Sequence, residues 1–319
     1  MGYLENGQWH TGWYDTSRTG GRFVRPETQF RDRVTADGSS GFPAAAGRYH
    51  LYVSLACPWA HRTLIMRGIK GLENVISVSV VHPHMGEDGW AFGDAPGCMP
   101  DTVNGARLLR EVYVKARPDY TGRVTVPVLW DRETGTIVNN ESAEILRMLE
   151  REFDAFGRAD LDFHPPGLRE EIDRINPYVY ERINNGVYRA GFATTQQAYE
   201  EAAGALFEAL DSLEERLRGQ SWLCGERITE ADWRLFTTLV RFDAVYHGHF
   251  KCNRSRLVDY PELWDYTRAL YQFPGVAPTV SLDHIKQHYY TSHPQINPTG
   301  IVPIGPAIDF ERPTRRQGM

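Results

Sequence analysis

Cysteine is scarce. Four occur in 319 residues (Cys57, Cys98, Cys224 and Cys252) with no regular spacing, which excludes a disulfide framework. Neither sign of charge dominates: 35 basic residues stand against 41 acidic ones, for a formal net charge of −6. Without a basic stripe nothing suggests nucleic acid, and the small negative balance slightly disfavours anionic polymers and membrane surfaces. No apolar run reaches the length that spans a bilayer. The first residues, Met1-Gly2-Tyr3-Leu4-Glu5-Asn6, have no basic n-region and no apolar h-region, and Asn6 breaks the myristoylation pattern. A reducing cytoplasm, which also supplies small thiols, is therefore the expected compartment. His82 and His84 form a His-x-His pair, but a metal needs three or four ligands and no clear set accompanies them, so no metal is expected. The glycines between 86 and 97 match no phosphate-binding loop, and no repeat or low-complexity segment is present.

What is present centres on Cys57, in Leu55-Ala56-Cys57-Pro58-Trp59-Ala60-His61-Arg62. An apolar run from Tyr49 to Leu55 precedes it and a helical pattern follows, so the thiol sits at a strand-to-helix turn. Pro58 takes the first helical position, where its missing N–H costs nothing. The thiol then faces the unpaired N–H groups and positive dipole end of the helix, with His61 and Arg62 one turn away. These features favour thiolate over thiol. The partner position of a Cys-x-x-Cys pair holds Ala60. The site is monothiol, and any redox cycle must borrow a second thiol from solution.

The chain is long enough for two domains. Residues 1–47 are polar and rich in Gly, Arg and Thr, and read as an irregular arm packed by Trp9, Trp13 and Phe23. A first domain over 48–152 follows: a strand at 48–55, a helix at 58–70, a strand from Val75 to Val81, an insertion over 82–121, a strand from Thr125 to Trp130, a turn at 131–135, a short strand at 136–138 and a helix from Glu141 to Arg151. This order is that of a thioredoxin-like half, a small mixed sheet with helices on its faces. Cys57 opens its first helix at the carboxyl end of its first strand, where ligands bind in open α/β sheets. From 165 to 291 the pattern is helical. Leu168, Ile172, Ile175, Val179 and Ile183 step by 4, 3, 4 and 4, and Leu206, Leu210, Leu213 and Leu217 by 4, 3 and 4. Further helices start near Thr229 and Pro261. Residues 292–319, with five prolines, read as an irregular tail. The fold class is α/β followed by all-α.

Val126-Pro127 lies inside an apolar strand, where proline marks an edge or a turn. In thioredoxin-like folds a cis-proline faces the reactive cysteine and opens the preceding residue's backbone to an extended peptide, so a cis bond is expected here. Glu141 and Ser142 open a helix. A helix start can hold a ligand carboxylate through its N–H groups and the Ser hydroxyl, and Glu141 can pair with an ammonium; plain capping by the same residues is the alternative. With Pro127 they describe a site for a small zwitterionic peptide. Thr229-x-x-Asp232 is a capping pattern and structural on any reading. Tyr188, Tyr246, Tyr289 and Tyr290 fall in the helical half, where packing is the ordinary role, although hydroxyls facing an apolar pocket can bind phenolic or quinone oxygens.

Together these residues resemble the glutathione transferase superfamily. The finer pieces resemble one branch, the glutathionyl-hydroquinone reductases or Xi-class transferases: Cys57-Pro58-Trp59-Ala60-His61-Arg62, Gly89-Trp90, Val124 to Trp130, Asn139-Asn140-Glu141-Ser142, Asn184-Asn185-Gly186-Val187-Tyr188, Ile285 to Tyr290, and the tail from Ile296 to Pro306. The similarity runs over nearly the whole chain. It implies a thioredoxin-like domain followed by a helical one, and glutathione-dependent reduction of glutathionyl-hydroquinones to hydroquinones, with glutathione as co-substrate. By matching position Cys57 is the nucleophile; Trp90, Arg123, Val126, Glu141 and Ser142 hold glutathione; Tyr188 and Tyr289 face the aromatic group. The resemblance also implies a homodimer formed through the helical half. Two other readings remain open at this point: a monothiol reductase acting on dehydroascorbate or glutathione disulfides, and a non-catalytic interaction module, since transferase folds also serve as scaffolds.

Overall fold

The computed structural model of the protein describes residues 1–316. The chain divides into two compact units, and each gathers separate stretches of sequence. The first comprises Met1–Trp13, Pro26–Leu161 and Thr279–Ser292; the second comprises Tyr14–Arg25, Asp162–Pro278 and the chain from His293 on.

The first unit opens with an antiparallel hairpin, β1 (Gly2–Glu5) and β2 (Gln8–Thr11), paired Gly2 to Thr11 and Leu4 to Trp9. This corrects the expectation of a wholly irregular arm. Its turn is Asn6-Gly7, both at positive φ (48° and 75°), the combination that a tight hairpin turn requires and that Asn-Gly supplies. The strands are short and polar, so their alternation carries little signal.

A four-stranded sheet forms the body of this unit. β3 (Tyr49–Val53) leads through Cys57 into α1 (Pro58–Ile69), then β4 (Ser77–Val80), α2 (Leu109–Ala116), β5 (Val128–Asp131), β6 (Thr136–Asn139) and α3 (Ser142–Arg151). The strand order is β4-β3-β5-β6, with β4 parallel to β3 and the other neighbours antiparallel. This is the mixed sheet that the order of elements predicts. Every residue of β3 is buried, and α1 is buried over most of its circumference, as a helix pressed between layers must be. β5 begins at Val128 rather than Thr125, because Pro127 lacks the N–H that a ladder needs. The Val126–Pro127 bond is cis, as the motif predicts; a second cis bond precedes Pro306. The last helix, α9 (Leu282–Ser292), also belongs to this unit, a placement that the order of elements does not signal.

The second unit is helical: α4 (Arg169–Val179), α5 (Gly186–Gly191), α6 (Gln196–Gly219), α7 (Glu230–Leu239) and α8 (Pro261–Tyr271). The two apolar stripes point inward, with Ile172, Ile175, Val179, Ile183, Leu206, Leu210, Leu213 and Leu217 all buried. Leu168, at the edge of the first stripe, is only half-buried. The regular period breaks after α4, where Tyr180–Asn184 form a wide turn closed by Asn185 N–H to Tyr180 O at 2.8 Å. The extra residue turns Asn184 inward, where its amide donates to Arg234 O (3.0 Å) and Thr238 Oγ1 (2.8 Å). Such widened turns recur at functional sites. Beyond α9 the described residues carry no helix or strand, yet the tail is tied down. Arg316 donates to Leu217 O, Gln220 O and Ser221 O at the end of α6, and to Glu262.

Candidate active site

The candidate site in the first unit grows from the turn between β3 and α1. Cys57 is the N-cap of α1, with extended backbone (φ −77°, ψ 122°) and Pro58 at the first helical position. Cys57 N–H donates to Ser54 O (3.2 Å) and Cys57 O accepts from His61 N–H (3.0 Å), which fixes the tight turn. The side chain makes no capping hydrogen bond and is half-buried. Its Sγ lies 3.6 Å from the carbonyl oxygen of Val126, the residue before the cis-proline. The pairing of Tyr52 with Val128 across β3 and β5 brings these two turns to the same end of the sheet.

Glu141 and Ser142 stand at the start of α3. Glu141 is its N-cap: the carboxylate accepts from Ala143 N–H at 3.2 Å and from Thr28 Oγ1 at 3.4 Å. Ser142 Oγ lies 3.4 Å from a guanidinium nitrogen of buried Arg62, which also sits 4.6 Å over the Trp59 ring. Arg62 thus ties the helix start that bears Cys57 to the one that bears Ser142. His61 is buried and reaches Thr279 Oγ1 at 2.8 Å. Both residues were expected as cations next to the thiol; the contacts described show them joining α1 to other elements.

Trp90 is buried in the insertion, its indole stacked on His288 of α9 with centroids 4.8 Å apart and planes at 22°. Arg123, expected to hold glutathione, binds the chain's own backbone. Its guanidinium donates to Gly2 O (3.0 Å), Gly12 O (2.8 Å) and Trp13 O (2.9 Å) and lies over the Tyr3 ring. These contacts make it an anchor for the N-terminal hairpin, a role the motif does not suggest. Tyr289 is buried on α9, next to His288. Tyr188 belongs to the second unit, on α5, in an aromatic cluster with Phe192, Tyr246 and Phe250, and the Arg25 guanidinium lies 4.8 Å over its ring. Arg25 Nε in turn donates to Asn185 Oδ1 at 3.0 Å. Sequence reasoning passes over both His288 and Arg25, because each meets its aromatic partner across more than 150 residues of chain.

The other three thiols sit in different surroundings. Burial pushes Cys98 up, Cys224 up to about 11 and Cys252 well above the ordinary thiol range. Among the described residues no group of three or more His, Cys, Asp or Glu side chains is arranged to hold a metal, and no helix is long and apolar enough to cross a membrane.

Two family models match the chain: the glutathione S-transferase N-terminal domain over residues 56–152 and the C-terminal domain over 196–269. The chain is 58% identical to the glutathionyl-hydroquinone reductase PcpF of Sphingobium chlorophenolicum, over 96% of this chain and 97% of that one. It belongs to the Xi-class glutathione transferases. Glutathionyl-hydroquinone reductase YqjG of Escherichia coli is 54% identical over 99% of this chain and 98% of its own. Its glutathione-bound structure superposes with a TM-score of 0.92, each chain covered to 99%. The Xi-class transferase of Natrialba magadii gives a TM-score of 0.93 at 53% identity, over 99% of this chain and 96% of that one. In this Xi-class transferase the N-terminal model spans Cys57, Trp90, Arg123, Val126, Glu141 and Ser142, whereas Tyr188 and Tyr289 lie outside both models.

Proposed function

We propose that this Xi-class transferase reduces glutathionyl-hydroquinones to hydroquinones with glutathione as co-substrate. The reading is carried by one observation: a single thiol, with no second cysteine at position 60, stands at the N-cap position of a helix beside the Val126–Pro127 turn in a chain related end to end to reductases of this kind. A hydroxyl at that position can only stabilise a glutathione thiolate for conjugation. A thiolate can attack the sulfur of a bound glutathionyl adduct.

An aryl carbanion is a poor leaving group, so the ring first takes its keto tautomer, with the phenolic proton moved to the carbon that bears sulfur. Cys57 thiolate then attacks that sulfur. The carbon–sulfur bond breaks, the electron pair passes into an enolate, and its charge rests on oxygen. Hydroxyls of Tyr188 and Tyr289 stabilise that oxygen, which takes a proton to give the hydroquinone. Cys57 is left in mixed disulfide with glutathione. A second glutathione attacks as thiolate, releasing oxidised glutathione and Cys57 thiolate. Two glutathione sulfurs are oxidised and the ring carbon is reduced. Glu141, Ser142, Val126, Trp90 and Arg123 hold the peptide, with Glu141 on its ammonium and the start of α3 on a carboxylate. A cytoplasmic location and a homodimer through the helical half complete the proposal.

The test supplies several glutathionyl-hydroquinones with glutathione and follows products by mass. Free hydroquinone and oxidised glutathione in equal amounts are expected. Turnover of small glutathione disulfides alone, with no hydroquinone from any adduct, overturns the reading in favour of a general monothiol reductase.

A further inference from the structure

Trp90 lies in a segment without regular secondary structure, rich in glycine and proline, so something else must set the plane of its ring. α9 provides it. His288 Nδ1 donates to Pro83 O at 2.9 Å, while the imidazole face stacks on Trp90. One turn on, Ser292 Oγ accepts from Met85 N–H at 2.9 Å and lies 3.3 Å from His288 Nδ1. His84 Nδ1 and Thr291 Oγ1 are 3.0 Å apart. From Pro83 to Trp90 the segment is thus fastened at both ends to one helix, and His288 touches both ends. Burial of His288 keeps water from competing for the Pro83 carbonyl.

From this geometry we propose that His288 is a positioning residue for glutathione: it fixes the Trp90 indole by its ring face and the segment leading to Trp90 by Nδ1. The inference rests on the reading of Trp90 as a glutathione contact. His288 does not touch the reacting sulfur; it acts through Trp90. Its two attachments are separable by chemistry. An asparagine at 288 can present a donor near the Nδ1 position but has no ring. A phenylalanine keeps a ring for the stack but has no donor. A leucine has neither.

The experiment measures glutathione binding calorimetrically to the full-length chain carrying Cys57→Ser, so that no covalent step intervenes. His288→Asn and His288→Phe are expected to weaken binding about threefold to tenfold each, and His288→Leu by more than either, the losses typical of one hydrogen bond and one aromatic contact. In parallel, the rate of iodoacetamide alkylation at Cys57 is followed by peptide mass in the same three variants with Cys57 retained. An unchanged rate is expected, because the turn at α1 does not depend on His288. Trp90→Ala separates the two levels of the argument. If Trp90→Ala weakens binding and His288→Leu does not, the inference fails and the reading of Trp90 stands. If Trp90→Ala leaves binding intact, the reading of Trp90 falls and takes the inference with it. If all three His288 variants lower the alkylation rate along with binding, His288 only supports the fold and the proposal is overturned.

Discussion

Two helix starts in this molecule are built from the same backbone device and serve opposite ends. α1 and α7 each follow an extended N-cap residue, Cys57 and Thr229. At α7 the chain supplies its own anion. The Asp232 carboxylate accepts from Thr229 N–H (2.7 Å), Thr229 Oγ1 (2.9 Å), Leu223 N–H (2.8 Å) and Tyr266 OH (2.8 Å), all out of solvent. At α1 the cap side chain makes no capping bond and stays half-exposed. One dipole end is closed by the fold; at the other the proposed function places the thiolate and a ligand's charge. α3 lies between them, because Glu141 caps it yet remains half-exposed.

The largest expected effect breaks the open start. Cys57→Ser should abolish release of hydroquinone from glutathionyl-hydroquinones, followed by product mass, because an alkoxide cannot form the mixed disulfide. Retained activity would move the nucleophile to Cys98, Cys224 or Cys252. In the unmodified chain iodoacetamide at pH 7 should label Cys57 first, since burial raises the other three thiols.

Breaking the closed start should cost stability instead of chemistry. Asp232→Ala leaves two buried backbone N–H groups without their acceptor and should lower unfolding free energy by about 2–4 kcal/mol in urea titration. Turnover at low temperature should survive. A loss below about 1 kcal/mol would mean that α7 is held by packing alone.

A pH titration sharpens the contrast without mutation of either start. His50, buried in β3 between Ser77 Oγ (2.6 Å) and Ser79 Oγ (2.9 Å), is pulled down to about 4 mainly by burial. Between about pH 6.5 and 4 the unfolded chain therefore binds the proton and the folded chain does not. Stability is full above that window and falls as pH drops through it, by up to ~1.4 kcal/mol per pH unit. Asp232 works in the opposite sense: burial raises its carboxyl, so acid relieves a charge there. His50→Gln should flatten the acid-side fall; an unchanged slope would assign it to other groups.

The smallest structural effect belongs to the intermediate start. Glu141→Gln keeps an acceptor for Ala143 N–H and should cost less than about 0.5 kcal/mol, while glutathione affinity falls on the order of tenfold through loss of the negative charge that faces its ammonium. Equal binding by both forms would make Glu141 a cap and nothing more.

These helix starts were legible in the sequence because capping is a local rule, acting over about four residues. Cys57-Pro58, Thr229-x-x-Asp232 and Glu141-Ser142 each announce themselves within one turn of chain, and the mixed sheet follows from the order of elements. The arm hairpin was not read: Asn6-Gly7 is a turn signal, but its strands are too short and polar to support it. What could not be read spans long separations. The carbonyls that Arg123 binds lie some 110 residues upstream, and the Pro83 carbonyl that fixes His288 is 205 residues away. No period or spacing encodes such pairs; only the fold brings them together.

The two units are laced through one another along the chain. Tyr14–Arg25 precede the body of the first unit yet belong to the second, and Thr279–Ser292 follow the body of the second yet belong to the first. Neither unit can be lifted out as one continuous length of gene. A cut at 157–162 would leave one piece with a sheet but no α9 and the other with a helical bundle but no residues 14–25. Unlike modules joined by a linker, neither piece of such a cut carries a whole unit.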